Sequence, residues 1–163
     1  VSERIISSRS PKQGLNNFML FVGFLGLIMK KLTTANVKVN QVMTKDVVTV
    51  SLDSTVEEVV NKMVDCDVEC VPVIDVEGVL HGLVTFRDIV MKVVYPLTKT
   101  RESKVEKIMS KSLVTCNLNS TLLDVVKIMK NKHLRRIPVV DAKNKLVGLV
   151  TDFDLALFGW DFK

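Results

Sequence analysis

Cysteine, histidine, aromatic residues and long apolar runs are all scarce in this sequence, and each scarcity removes a class of protein. The three cysteines, Cys66, Cys70 and Cys116, are an odd number in no disulfide-framework spacing, which points to a reducing compartment and a cytoplasmic location. The only histidines, His81 and His133, have no second His, Cys or carboxylate at metal-ligand spacing, so no metal site or proton-transfer role is expected. No Ser–His–Asp, Cys–His, paired-carboxylate or P-loop constellation is present, so no catalytic residue, no enzymatic activity and no cofactor are assigned. Aromatic residues make up 6% of the chain, without a stacking motif or a recognition helix, which disfavours nucleic acid although the net charge is +5 and the pI near 9.2. That basic balance favours an anionic partner, and charge alone does not choose between phosphorylated small molecules, nucleic acid and acidic lipid.

The longest apolar run, from Phe18 to Met29, is too short for a bilayer, since a spanning helix needs roughly 17–25 apolar residues. Lys30 and Lys31 close it and no small-residue cleavage site follows, so it is a poor secretory signal as well. Met29-Lys30-Lys31 looks like an ordinary start, and residues 1–28 are read as an upstream extension. A helix packed on the domain or on a partner, and a peripheral membrane anchor, are the alternatives.

What remains is a chain with 47% hydrophobic and 25% charged residues, enough for one compact domain or one made of two similar halves. An internal repeat decides between them. With residue 39 laid on residue 105 and no gap, Val42-Met43-Thr44-Lys45 falls on Ile108-Met109-Ser110-Lys111. Val71-Pro72-Val73-Ile74-Asp75 falls on Ile137-Pro138-Val139-Val140-Asp141, and Gly82-Leu83-Val84-Thr85 on Gly148-Leu149-Val150-Thr151. About 19 of the 47 positions from 43 to 89 are identical.

Each copy reads β-α-β-β-α. In the first, strand-forming runs at Val47–Val50, Val71–Ile74 and Val79–Val84 alternate with helical patterns at Val56–Val64 and Arg87–Val93. Thr55-x-x-Glu58 and Thr121-x-x-Asp124 are helix-start signals, and Val56, Val59, Val60 and Met63 share one face with core spacing, as do Leu122, Val125, Val126 and Met129. Gly78 and Asn144 stand in hairpin turns where a positive φ costs little. The expected division is an extension (1–36), copy one (37–94), a polar, proline-bearing linker (95–104), and copy two with a C-terminal tail (105–163), in which Trp160 and Phe162 are expected to close over a core edge. One copy cannot bury both faces of so small a sheet, so the fold class is α+β, with tandem motifs packed sheet to sheet about a pseudo-two-fold axis.

The ordered set Val-Met-Thr…Val-Val-Thr-Val, hydrophobic-Pro-Val-Ile-Asp and Gly-Leu-Val-Thr-x-x-Asp, present twice over residues 39–156, resembles the CBS motif pair, or Bateman module. The resemblance implies a non-catalytic regulatory module that binds AMP, ADP, ATP or S-adenosylmethionine between its motifs. It also implies a homodimer formed through such modules and a separate effector protein. Membrane association is not expected. By the same resemblance, one cleft would join Thr85, Arg87 and Asp88 to Ser110, Val114, Arg135 and Arg136. A second, weaker one would join Thr151, Phe153 and Asp154 to Thr44, Val48, Glu69 and Cys70. The aspartates would hold ribose hydroxyls, the threonines ribose or phosphate, and the first-strand residues would line the adenine. Arg135 and Arg136, before Ile137-Pro138, match the basic pair that meets phosphate in nucleotide-sensing members of the family, and guanidinium groups suit phosphate oxygens. Glu69, Cys70 and Asp152 would repel phosphate from the second cleft. Read without the resemblance, Thr85-x-x-Asp88 and Thr151-x-x-Asp154 are capping boxes, and Arg135-Arg136 is a solvated strand start. A dimerisation scaffold with vestigial clefts is the competing function.

Overall fold

Valine and isoleucine runs too short to be helices become strands wherever a partner can take their backbone bonds. The computed structural model of the protein describes residues 36–96 and 102–157. The expectations for residues 1–35, for half of the linker (97–101) and for Trp160 and Phe162 lie outside the described residues. Copy one comprises β1 (Val50–Ser51), α1 (Val56–Asp65), β2 (Cys70–Ile74), β3 (Leu80–Thr85) and α2 (Phe86–Ile89). Copy two repeats them as β4 (Cys116–Asn117), α3 (Leu122–Lys132), β5 (Arg136–Val140), β6 (Leu146–Thr151) and α4 (Asp152–Ala156). The expected order and α+β class are those observed.

In each three-stranded sheet the first strand is parallel and the third antiparallel to a central one, β2 or β5. The proline of each central strand, Pro72 or Pro138, is paired by register with a leucine, Leu83 or Leu149. The first strand is shorter than its β-branched run. Only Val50 and Ser51 join β2, because the chain just before them is bonded elsewhere: Thr44 exchanges backbone hydrogen bonds with Leu149 of the other copy, 2.9 Å each way. Residues 45–49 bridge the two sheets.

The long helices start as their sequences require. Thr55 Oγ1 accepts from Glu58 N at 3.2 Å while Glu58 Oε2 accepts from Thr55 N at 2.8 Å, and Thr121 and Asp124 repeat the exchange. Both end in left-handed residues at equivalent places, Asp67 (φ 52°) and His133 (φ 54°). The hairpin turns carry positive φ at Gly78 (82°) and Asn144 (60°), as expected. Asp75 recurs as Asp141 for a visible reason: its Oδ1 accepts from the backbone of residues two and four further on, as Asp141 does for Lys143 and Lys145. The last helix of copy one differs from expectation, a single α turn widening into a π turn, Val90–Val94, closed by Tyr95 N to Val90 O at 2.8 Å.

Every cross-copy bridge obeys the repeat. Val79 pairs with Lys145, its own counterpart, marking the pseudo-two-fold axis, and Thr44–Leu149 is mirrored by Leu83–Ser110. The lead-in segment of each copy packs into the core of the other. Val39 and Met43 are buried among Leu122, Val125, Met129, Ile137 and Val150, and Val105, Ile108 and Met109 among Val56, Val59, Met63, Val71 and Val84. The recurrent methionine and glycine are two halves of this crossing. Met109 lies against Gly82 and Met43 against Gly148, each so close that a β-carbon on the glycine would fall 2.3 or 2.4 Å from the methionine sulfur. The sequence repeat and the packing unit are thus offset by the length of the lead-in.

Candidate functional site

Where β3 of copy one passes into α2, the backbone presents Thr85, Arg87 and Asp88 at a strand-to-helix corner. The Leu83–Ser110 bridge brings the second copy's lead-in alongside that corner just past Met109, and β5 begins opposite with Arg136. Between them lies a cavity of about 670 Å³, a volume ordinary for a small-molecule site of roughly 300–1,000 Å³. All seven residues assigned to the first cleft line it: Thr85, Arg87, Asp88, Ser110, Val114, Arg135 and Arg136. Leu83, Leu113, Leu134 and Pro138 add apolar wall, and Phe86, Ser112, His133 and Glu69 complete it. The sequence does not assign these eight to this cleft, and Glu69 is expected in the other. Leu83 lies in the bridge to Ser110, which only the tertiary pairing reveals, and His133 is the left-handed residue that closes α3.

The polar groups are already engaged with one another. Thr85 Oγ1 donates to Asp88 Oδ2 at 2.7 Å and accepts from Asp88 N at 3.3 Å, while Thr85 N donates to the same carboxylate at 2.9 Å. The capping box of the plain reading is therefore formed. The other carboxylate oxygen, Oδ1, accepts from Lys92 Nζ at 2.7 Å and from Ser110 Oγ at 3.4 Å, which links the corner of copy one to the lead-in of copy two. Partial burial opposes ionisation of Asp88, but the hydrogen bonds from Lys92 and Thr85 outweigh it and hold the carboxyl below its ordinary range.

The arginines are engaged too. Arg135 Nε donates to Asp152 Oδ2 at 2.6 Å, and that bond, followed by the attraction of the same charge, holds the guanidinium above its ordinary value. Arg136 Nη2 donates to Glu69 Oε2. Glu69, expected in the second cleft, lines the first cavity, where its ion pair with Arg136 joins the residues preceding the two prolines across the pseudo-two-fold axis.

The residues of the second cleft are distributed differently. Thr151 and Asp154 form the same box, with Thr151 Oγ1 donating to Asp154 Oδ2 at 2.8 Å, and Thr44 is tied to Leu149. Phe153, the counterpart of Arg87, is 70% exposed, whereas Cys70 is buried beside Arg136; burial pushes its thiol up to about 12, with Arg136 pulling the other way. The 670 Å³ cavity includes none of Thr44, Val48, Cys70, Thr151, Phe153 and Asp154. A smaller hollow of about 210 Å³ is lined by Lys45, Val47, Thr49, Ile74, Gly78, Leu146 and Gly148, the first three of which alternate with Thr44 and Val48 along one segment. Among the described residues no group of three or more His, Cys, Asp or Glu is placed to hold a metal ion, and no helix is long and apolar enough to cross a membrane.

Comparison with known proteins agrees with this architecture. The CBS domain family model matches residues 39–95 and 105–160. The CBS domain-containing protein YhcV of Bacillus subtilis is 37% identical over 119 residues, which cover 73% of this chain and 83% of that protein. An inosine-5'-monophosphate dehydrogenase of Methanocaldococcus jannaschii is 35% identical over 118 residues, 72% of this chain but 23% of the enzyme. Among solved structures, CBSX2 in complex with AMP superimposes with a TM-score of 0.67 at 26% identity, covering 75% of this chain and 95% of that one. The CBS domain pair of protein MJ0100, in complex with 5-methylthioadenosine and S-adenosyl-L-methionine, gives 0.66 at 25% identity, covering 75% and 95%.

Proposed function

The chain belongs to the CBS-domain family, carrying the motif twice, and from that premise we propose that it is a non-catalytic regulatory module that senses an adenine nucleotide of the AMP, ADP or ATP class in its first cleft and signals to a separate protein. One observation carries this reading: the seven residues assigned to the cleft, three from one copy and four from the other, line a single cavity of nucleotide size. A ligand there touches both copies, so its binding energy is available to bias their relative placement. In this reading Asp88 accepts from the ribose hydroxyls, Thr85 and Ser110 flank the sugar and phosphate, Val114 and the leucines sandwich the adenine, and Arg135 and Arg136 face the phosphate. Structures of similar proteins with AMP, 5-methylthioadenosine and S-adenosyl-L-methionine support the adenosine moiety as the common element. A homodimer is part of the proposal, supported by the exposed apolar side of the second helix, where Phe86, Val90, Met91, Val94 and Tyr95 stand open.

The test is a thermal-shift panel of adenosine, AMP, ADP, ATP and S-adenosylmethionine on the chain, followed by calorimetry on any ligand that stabilises it. Stabilisation by an adenosine compound, lost in the Arg135→Ala, Arg136→Ala pair for phosphorylated ligands alone, supports the assignment. A flat panel removes it and leaves the dimerisation scaffold, whose supporting observation is that Thr85, Asp88, Arg135 and Arg136 are all satisfied by protein partners.

A further inference from the structure

Resting on the nucleotide reading of the first cleft, we propose that Glu69 is a specificity-determining residue of that cleft: its carboxylate occupies the Arg136 guanidinium that a phosphate needs, so that a phosphate binds only by displacing it. Both side chains line the cavity, one from each copy, and they form an ion pair across the axis. The two partners are unequal. The Arg136 side chain is 22% exposed and opens β5, where the next four residues are buried and Arg136 is in register with Thr151. The Glu69 side chain is 59% exposed, and its main chain is held independently, its carbonyl accepting from Phe86 N at 3.1 Å. The carboxylate can turn to solvent without disturbing the strand, while the guanidinium is the more buried of the two and starts from a fixed strand.

Carboxylate and phosphate compete for the same fork of donors, and the loser is left as a second anion close to the winner. Arg135 stands in a pair of its own with Asp152, so it too meets a phosphate only in exchange for a carboxylate. Glu69 therefore lowers the contribution of a phosphate to affinity while leaving the nucleoside part unaffected, and sets a threshold that adenosine compounds without a phosphate do not meet.

The experiment is titration calorimetry of AMP and adenosine against wild type, Glu69→Gln, Arg136→Ala and the double variant, with melting temperatures to confirm folding and Glu69→Ala as a second neutral replacement. Glu69→Gln is expected to raise the affinity ratio of AMP over adenosine by about three- to tenfold, and to leave it unchanged when Arg136 is already alanine. AMP binding seen in Glu69→Gln and not in wild type is the same result at its limit. If both proteins bind adenosine and AMP with one unchanged ratio, or if Glu69→Gln weakens AMP, the role of Glu69 is overturned and the nucleotide site stands. If neither ligand binds any variant, the nucleotide reading itself fails, and this inference with it.

Discussion

Gly148→Ala adds one methyl group at the point where the two copies interlock. A β-carbon there falls 2.4 Å from Met43 Sδ, 3.0 Å from Met43 Cγ and 3.0 Å from the Thr44 carbonyl oxygen. Comfortable carbon contacts need roughly 3.5–4.0 Å, so Met43 must retreat by about an ångström. It has little room, being 9% exposed and packed into the core of copy two. The Thr44 oxygen cannot yield cheaply either, because it accepts from Leu149 N at 2.9 Å. Overpacking of this kind costs about 1–3 kcal/mol. Losing a glycine also makes the unfolded chain less flexible, which returns about 0.4–1 kcal/mol. The expected net loss is about 1–2 kcal/mol, or roughly 3–6 °C in melting temperature for a chain of this length. Urea and thermal denaturation followed by circular dichroism measure it. Met43→Ala, itself destabilising, should be partly compatible with the new methyl, so the double variant loses about 1 kcal/mol less than the two single losses combined. A rise in melting temperature for Gly148→Ala, or strict additivity with Met43→Ala, would refute the interlock.

At pH 8 iodoacetamide should label Cys66 alone in the native chain and all three cysteines after denaturation, because burial pushes Cys70 up to about 12 and Cys116 up to about 11, while Cys66 is exposed; mass spectrometry of the adducts decides. Asp88 has its folded carboxyl held low, so its stabilising contribution is complete above the ordinary carboxylate pKa of about 4 and is lost as pH falls through the lower folded value. Asp88→Asn should therefore lower the melting temperature at pH 7 and converge on wild type in acid; a constant gap down to pH 2 would contradict this. Thr55→Ala and Thr121→Ala each remove a formed cap and should cost about 1 kcal/mol in urea melts.

Much of the fold was legible because its punctuation is local. Thr55 and Thr121 cap the residues that follow them, Asp75 and Asp141 bind their own turns, and Gly78 and Asn144 adopt the φ their turn demands. All of these interactions lie within four residues, where spacing in the sequence is spacing in space. The strand at Val47–Val50 was over-read for the opposite reason. Its residues have strand propensity, but the Thr44–Leu149 bridge holds the chain away from β2 until Val50, and nothing local announces that. The widening of α2 into a π turn at Val90–Val94 likewise had no signature in the apolar pattern.

By itself the sequence determined that there are two copies, the order of elements in each and the faces that become core, and its resemblance to the CBS family supplied the seven side chains expected around the first cleft. Periodicity, caps and a motif in duplicate are written along the chain. Only the tertiary structure decided how the copies trade parts. It put Val39 and Met43 into the second core, Val105 and Met109 into the first, and Glu69 against Arg136. The physical reason is the pseudo-two-fold axis. It brings residue 69 to residue 136 through the packing of two sheets, and a charge read along the chain carries no information about which charge it will face across an axis.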